Sequence, residues 1–138
     1  MSEAARSKRV LRELMQEARD LGAQDDGVVT DRLKRLEIRL LALEHMELGL
    51  LARLAGGENP GPEASKLKIR GTEIAQALSR LRIDLHEGAC LTDRADAPLD
   101  APAMGVLGSY LNQRKLTIWG GSNEVQRMIL AKHLLSLG

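Results

Sequence analysis

The chain has 138 residues, of which 20 are lysine or arginine and 19 are aspartate or glutamate, giving a net charge of +1. This balance argues against partners bound mainly through bulk charge, so we expect neither nucleic acid nor a membrane among them. Aromatic residues make up only 1% and phenylalanine is absent, so aliphatic side chains must fill the core, as they usually do between packed helices. The length is typical of a single domain, which we place over residues 1–138.

The beginning of the chain and its single cysteine favour a cytoplasmic protein. Residues 1–6 lack the apolar core of a signal peptide, and charges interrupt the most apolar stretch before it could cross a bilayer. Cys90 cannot form an intrachain disulfide, which suits a reducing compartment. His45, His86 and His133 lack the spacing of metal ligands, so we predict no metal site and interpret them as surface or helix-face residues.

Apolar residues at helical spacing predict two helices in the first half of the chain. The first covers residues 3–21 and ends at Gly22. Its inward side consists of Val10, Leu11, Leu14, Ala18 and Leu21. The second begins at an N-cap, Thr30 or Asp31, and continues to about Ala55. Its packed seam consists of Leu33, Leu36, Leu40, Leu43, Leu50 and Leu54.

Glu47 falls on the seam of the second helix and has two interpretations. Either the apolar stripe drifts to Met46 and Leu51 and leaves the carboxylate at its margin, or Glu47 is a functional buried carboxylate. We favour the first, because glutamate is rarely buried without a partner.

Glycines and prolines in residues 56–62 separate the second helix from a third. Pro62 suits the first turn of this helix, which we predict to end at Leu85 or His86. Its inward residues are Leu67, Ile74, Leu78, Leu81 and Leu85. Residues 87–102 have no period and predict an irregular connection, followed by a helix over about 104–114 and a terminal helix to about Leu137. The predicted fold is all-α, an antiparallel four-helix bundle-like domain with an irregular connection before the last helices.

The most informative segment is the turn before the terminal helix, where Gly120 and Gly121 follow Trp119. Glycines allow a sharp turn and close approach by another group. Ser122 or Asn123 can cap the helix, and Gln126, three residues after Asn123, completes a capping-box pattern. The free N–H groups of such a helix start can hold a phosphate, ribose hydroxyl or carbonyl oxygen. An ordinary helix start is the alternative interpretation.

Residues 114–127 read Arg-Lys-Leu-Thr-Ile-Trp-Gly-Gly-Ser-Asn-Glu-Val-Gln-Arg. This string resembles the C-terminal signature of the acyl-CoA dehydrogenase family, with Trp119 where the family usually has tyrosine. Residues 32–43 and 61–68 are similar, more loosely, to two further helix motifs of the family. The resemblance extends from about Arg9 to the end of the chain.

The resemblance implies the C-terminal domain of a flavoprotein that uses FAD to oxidise an acyl-CoA substrate to its 2,3-enoyl form and passes the electrons to an acceptor. The residue after the signature aromatic is often the glutamate base of the family. Here it is Gly120, so no catalytic residue is carried over to this segment. By the same correspondence Gly121 would contact substrate, whereas Ser122, Asn123 and Glu124 would face the flavin.

The resemblance also implies domains that would precede residue 1, namely a helical domain and a β domain that hold most of the FAD. We therefore expect the chain by itself to be inactive and to retain no FAD, as a fragment or a truncated paralogue. A motif expected as Gln-x-x-Gly-Gly reads Asp-Leu-His-Glu-Gly at residues 84–88, which weakens the flavin assignment there. A homo-oligomer, or a hetero-oligomer with family subunits, is expected. The alternatives are a non-catalytic assembly subunit and, if the signature is coincidence, an unrelated bundle.

Overall fold

The computed structural model describes residues 2–86 and 105–136, and these two stretches form five α-helices and no strand. The helices are α1 (Glu3–Asp20), α2 (Gly27–Ala55), α3 (Glu63–Leu85), α4 (Val106–Gln113) and α5 (Asn123–Leu134). Short 3-10 turns at Ala23–Asp25 and Arg114–Thr117 follow α1 and α4. The all-α, bundle-like prediction is confirmed. The predicted irregular connection and Cys90 lie outside the described residues.

The core lies between the three long helices. Six large side chains are at most 1% exposed: Leu14, Leu40, Leu43, Ile74, Leu78 and Leu81. Burying each contributes roughly 1.5–3 kcal/mol relative to leaving it in water, so this aliphatic cluster stabilises the domain without aromatic residues. The predicted facing of the α2 and α3 stripes is confirmed for Leu33–Leu43 and Ile74–Leu85, which belong to one cluster.

The start of α2 differs from the prediction. Asp26, rather than Thr30 or Asp31, is the N-cap, because its carboxylate accepts hydrogen bonds from the amides of Val28 and Val29 at 2.7 and 3.3 Å. The helix therefore begins at Gly27, several residues earlier than predicted.

The end of the α2 seam also differs. Glu47 accepts a hydrogen bond from the amide of Ala4 at 3.2 Å, so α1 begins opposite Glu47. The part of α2 beyond this point has no cover from α1, which leaves Leu50 half-buried and Leu54 43% exposed, against the prediction. Leu51 is 58% exposed, so the stripe does not drift onto it either. Glu47 lies at the margin of the core and caps a helix.

The remaining boundaries need smaller corrections. Helix α1 ends at Asp20, one residue earlier than predicted, and Gly22 is left-handed, but Leu21 is exposed and Val10 only half-buried. Leu67 in α3 is also half-buried, and α5 ends at Leu134, earlier than predicted. Among the described residues, no helix has the length and apolar character needed to cross a membrane.

Candidate ligand-binding turn

The glycine pair forms the predicted tight turn that opens α5. Gly120 and Gly121 have φ angles of 65° and 85°, in the left-handed region that favours glycine. Ser122 follows in an extended conformation and is the N-cap, since its hydroxyl accepts a hydrogen bond from the amide of Val125 at 3.4 Å. The capping-box prediction is wrong, because with Ser122 as N-cap Gln126 lies one residue past the N3 position that a box requires.

The backbone of this turn leaves donors available. Within the described parts of the chain, the N–H groups of residues 120–123 form no hydrogen bond. These groups precede or open α5, where unpaired amides and the helix dipole give a partial positive charge. The turn can therefore donate hydrogen bonds to an oxygen atom that approaches its glycine side.

Glu124 places an acceptor beside these donors. Its carboxylate is exposed, and its own backbone N–H first and the Ser122 side chain second lower the pKa of Glu124 below its ordinary value. The positive charges of Arg127 and Lys68 lower the pKa further. The carboxylate is thus ionised at neutral pH and can accept hydrogen bonds from hydroxyl or amine groups.

Asn123 points the other way, toward α3. It is 2% exposed, and its side-chain amide donates a hydrogen bond to the hydroxyl oxygen of Thr72 at 3.0 Å. The Thr72 hydroxyl in turn lies 2.9 Å from the carbonyl oxygen of Lys68. The flavin-facing role of Asn123 stays a prediction, and its observed contact is with α3.

Two more residues of α3 hold the turn and the segment before it. The ammonium group of Lys68 donates a hydrogen bond to the carbonyl oxygen of Gly121. The side-chain amide of Gln76 lies 3.3 Å from each of three oxygens, the carbonyls of Gln113 and Arg114 and the hydroxyl of Thr117. Sequence reasoning assigned no role to these contacts, although Lys68 lies in one of the motifs that carry the family resemblance.

The two glycines differ in their surroundings. A Cβ atom on Gly120 would meet nothing within 4 Å, so this side of the turn is open. A Cβ atom on Gly121 would lie 2.7 Å from the side-chain nitrogen of Gln126, which folds over the turn. Trp119 is 66% exposed, and the Lys115 ammonium lies 4.6 Å from the centre of its ring. An exposed aromatic face, free amides and a carboxylate thus surround one open turn.

The histidines do not form a comparable site. His45 and His133 are exposed, as interpreted, but the side chain of His86 is only 7% exposed and lies with its Nε2 atom 3.7 Å from a carboxylate oxygen of Glu17. His86 is therefore not a surface residue. Among the residues that the structure describes, no group of three metal-ligating side chains comes together.

Comparison with known proteins supports the resemblance seen in the sequence. A family model, "Acyl-CoA dehydrogenase, C-terminal domain", matches residues 1–135. Acyl-CoA dehydrogenase FadE34 of Mycobacterium tuberculosis (strain ATCC 25618 / H37Rv) is 28% identical over 112 residues, which cover 81% of this chain. The chain spans only 14% of the length of that curated relative.

Solved structures of related proteins have the same fold. The Tcur3481-Tcur3483 steroid ACAD matches 98% of this chain with a TM-score of 0.80 and 24% identity, which establishes the fold. The ChsE4-ChsE5 complex from Mycobacterium tuberculosis matches 98% with a TM-score of 0.76 and 27% identity. The matches cover 35% and 36% of those chains. Since the family model spans nearly all of the sequence and the fold agrees, the chain belongs to the family of acyl-CoA dehydrogenase C-terminal domains.

Proposed function

We propose that residues 1–138 form the C-terminal helical domain of an FAD-dependent acyl-CoA dehydrogenase, and that the turn formed by residues 119–122 faces its substrate and flavin. The observation that carries the proposal is the turn itself. Its glycines are left-handed, its amides form no hydrogen bond within the described chain, and it lies in the segment that resembles the family signature.

The residues at the turn suit parts of FAD that bear hydroxyl or amine groups. The Glu124 carboxylate accepts hydrogen bonds from such groups, and the Ser122 hydroxyl can either donate or accept. A diphosphate fits less well next to this carboxylate, since like charges repel. FAD, when bound, supplies the acceptor for the hydride that leaves the acyl chain.

Gly120 restricts what this segment contributes to the chemistry. Oxidation of an acyl-CoA requires a base to take the proton from the carbon next to the thioester carbonyl. Gly120 has no side chain that could accept this proton, so we assign the base to a carboxylate elsewhere in the enzyme. The role of Gly121 is steric, because a side chain there would displace Gln126, which folds over the turn, and would crowd the backbone that we propose substrate approaches.

The test uses the full-length protein that carries this chain. We expect a yellow protein whose bound FAD is bleached by an acyl-CoA and reoxidised by an artificial electron acceptor. The 138-residue chain alone should remain colourless under the same conditions. A reading frame without the other family domains, or a full-length protein that binds no FAD, would contradict the proposed activity.

A second function, a non-catalytic assembly subunit, is favoured by exposed apolar side chains on α2. Four of them are 45–65% exposed and face away from the core: Ile38, Leu41, Leu48 and Leu51. Contiguous apolar surface of this kind promotes association. The ChsE4-ChsE5 structure is a complex of two named proteins. We expect light scattering to show a dimer or larger assembly, and a strict monomer at high micromolar concentration would argue against this function.

A further inference from the structure

Helix α3 carries three polar residues at intervals of four, Lys68, Thr72 and Gln76, all on the side that meets residues 113–123. Residues four apart share one face of a helix, so the three form a row along it. Each contacts a different part of the signature segment. Lys68 holds the carbonyl of Gly121, Thr72 holds the side chain of Asn123, and Gln76 holds the turn that follows α4.

We propose that this row, the polar ladder of α3, consists of positioning residues that fix the glycine turn relative to the core. In the ladder, Lys68 and Thr72 fix the positions of the backbone amides of Gly121 and Ser122. Gln76 fixes the position of the chain just before the turn. The consequence for catalysis rests on the function proposed above. The ladder itself is a property of this chain and can be tested without FAD.

Among the described residues, the segment from α4 to α5 has few fully buried apolar side chains. In α5 the only buried residue is Asn123, and in α4 it is Val106. The apolar residues Val125, Met128 and Ile129 of α5 are 43%, 54% and 44% exposed. Since these side chains are only partly buried, the polar contacts to α3 contribute much of what fixes the position of the turn.

The contact at Thr72 joins two side chains. The Thr72 hydroxyl has three acceptors within reach, the carbonyl oxygens of Lys68 at 2.9 Å and Ile69 at 3.0 Å and the side-chain oxygen of Asn123 at 3.3 Å. Its oxygen accepts a hydrogen bond from the side-chain amide of Asn123 at 3.0 Å. A valine at position 72 would keep the shape but leave the nearly buried Asn123 amide without this partner, which is unfavourable.

Thr72→Val tests the ladder in the full 138-residue chain by hydrogen exchange. The reporters are the amides of Val125 and Gln126, which are hydrogen-bonded to the side chain and the carbonyl of Ser122. We expect their exchange to become about tenfold faster, as loss of one buried hydrogen bond implies. Exchange in α1 should not change. Trp119, the only tryptophan, should report the same loosening through its fluorescence.

Two further variants separate positioning from general destabilisation. Thr72→Ser keeps the hydroxyl and should restore slow exchange. Thr30→Val is the matched control, because the Thr30 hydroxyl donates a hydrogen bond to the carbonyl of Gln24, far from the turn in sequence, and its loss should not reach α5. Lys68→Met, which keeps the aliphatic stem, should loosen the turn as Thr72→Val does. Unchanged exchange at Val125 and Gln126 in both ladder variants would overturn the proposal.

The same variants in the full-length flavoprotein test the link to function. We expect Thr72→Val to weaken FAD binding or raise KM for acyl-CoA about tenfold while helical content stays constant, with recovery in Thr72→Ser. Faster exchange with unchanged FAD affinity and kinetics would overturn the positioning role. If Thr72→Val exchanges faster but the wild-type full-length protein binds no FAD, the ladder is supported and only the proposed function is contradicted.

Discussion

Replacing Gly121 by alanine should separate backbone strain at the turn from contact with its neighbours. The φ angle of Gly121 is 85°, and an alanine held in the left-handed region costs about 1–2 kcal/mol. The added Cβ atom would also lie 2.7 Å from the side-chain nitrogen of Gln126. Moving this flexible group off its rotamer adds up to about 1 kcal/mol. We therefore expect the free energy of unfolding to fall by about 1–3 kcal/mol.

Gly57 provides the matched control. Its φ angle is 80°, nearly that of Gly121, but a Cβ atom there would meet nothing within 4 Å. Gly57→Ala should therefore lose only the strain component, and Gly120→Ala, which is also unobstructed at φ 65°, should behave in the same way. Urea unfolding followed by far-UV circular dichroism, with unchanged m-values, measures all three. If Gly121→Ala and Gly57→Ala cost nothing, the left-handed conformations are wrong.

The functional version of this experiment uses Gly121→Val in the full-length protein. A branched side chain is especially unfavourable at positive φ, and it would displace the Gln126 side chain and distort the backbone that we propose ligand approaches. Flavin occupancy or substrate affinity should fall strongly, with helical content nearly unchanged, whereas Gly57→Ala should leave both unaffected. Normal flavin content and normal kinetics in Gly121→Val would identify the turn as an ordinary helix start.

Two further predictions concern helix packing and acid stability. Gly71→Leu should lower the melting temperature by overpacking, at a cost of about 1–3 kcal/mol, because a Cβ atom there would lie 2.9 Å from the side chain of Glu3. The control is Gly49→Leu, where a Cβ atom would meet nothing within 4 Å, and it should raise the melting temperature through helix propensity. Ser122→Ala should raise the pKa of Glu124 toward its ordinary value in an NMR titration, since Ser122 helps to lower it. A carboxylate whose pKa is lower in the folded than in the unfolded protein stabilises the fold at pH values above its unfolded pKa. This stabilisation is lost as the pH falls through the folded-state pKa, so the variant should lose less stability in acid. An unchanged Glu124 titration would contradict the Ser122 contact.

Apolar periodicity predicted the helices but not all their ends. Leu11, Leu14 and Ala18 are buried as their spacing indicates. The start of α2 was predicted too late, at Thr30 or Asp31. Asp26 is also of a residue type that caps helices, and only its hydrogen bonds to the following amides identify it as the cap.

The extent of a buried seam depends on the partner helix, which a single periodic stretch does not reveal. Helix α2 has 29 residues and α1 has 18, so α2 extends beyond the cover that α1 can give. Leu54 keeps the period of the seam and is nevertheless exposed. Glu47 marks the point of change, because it caps the first turn of α1.

The candidate site shows the same division between local and distant information. Neighbouring residues alone predict the glycine turn and its cap. The direction of Asn123 depends on Thr72, which is 51 positions away, so no local pattern could assign it. The spacing of Lys68, Thr72 and Gln76 was visible in the sequence, but a polar row at this interval is equally typical of a solvated helix face.

The distribution of burial separates what stabilises the domain from what positions the turn. Helices α1 to α3 share one continuous aliphatic cluster, whereas α4 and α5 bury one residue each among those described. Global unfolding should therefore depend on the three-helix core, while local opening of the turn depends on a few polar contacts with α3. Because these contacts lie outside the aliphatic core, their loss can move the turn without melting the helices. A rigid helix that carries a polar row thus allows a segment with little apolar burial to be placed precisely at low cost to the core.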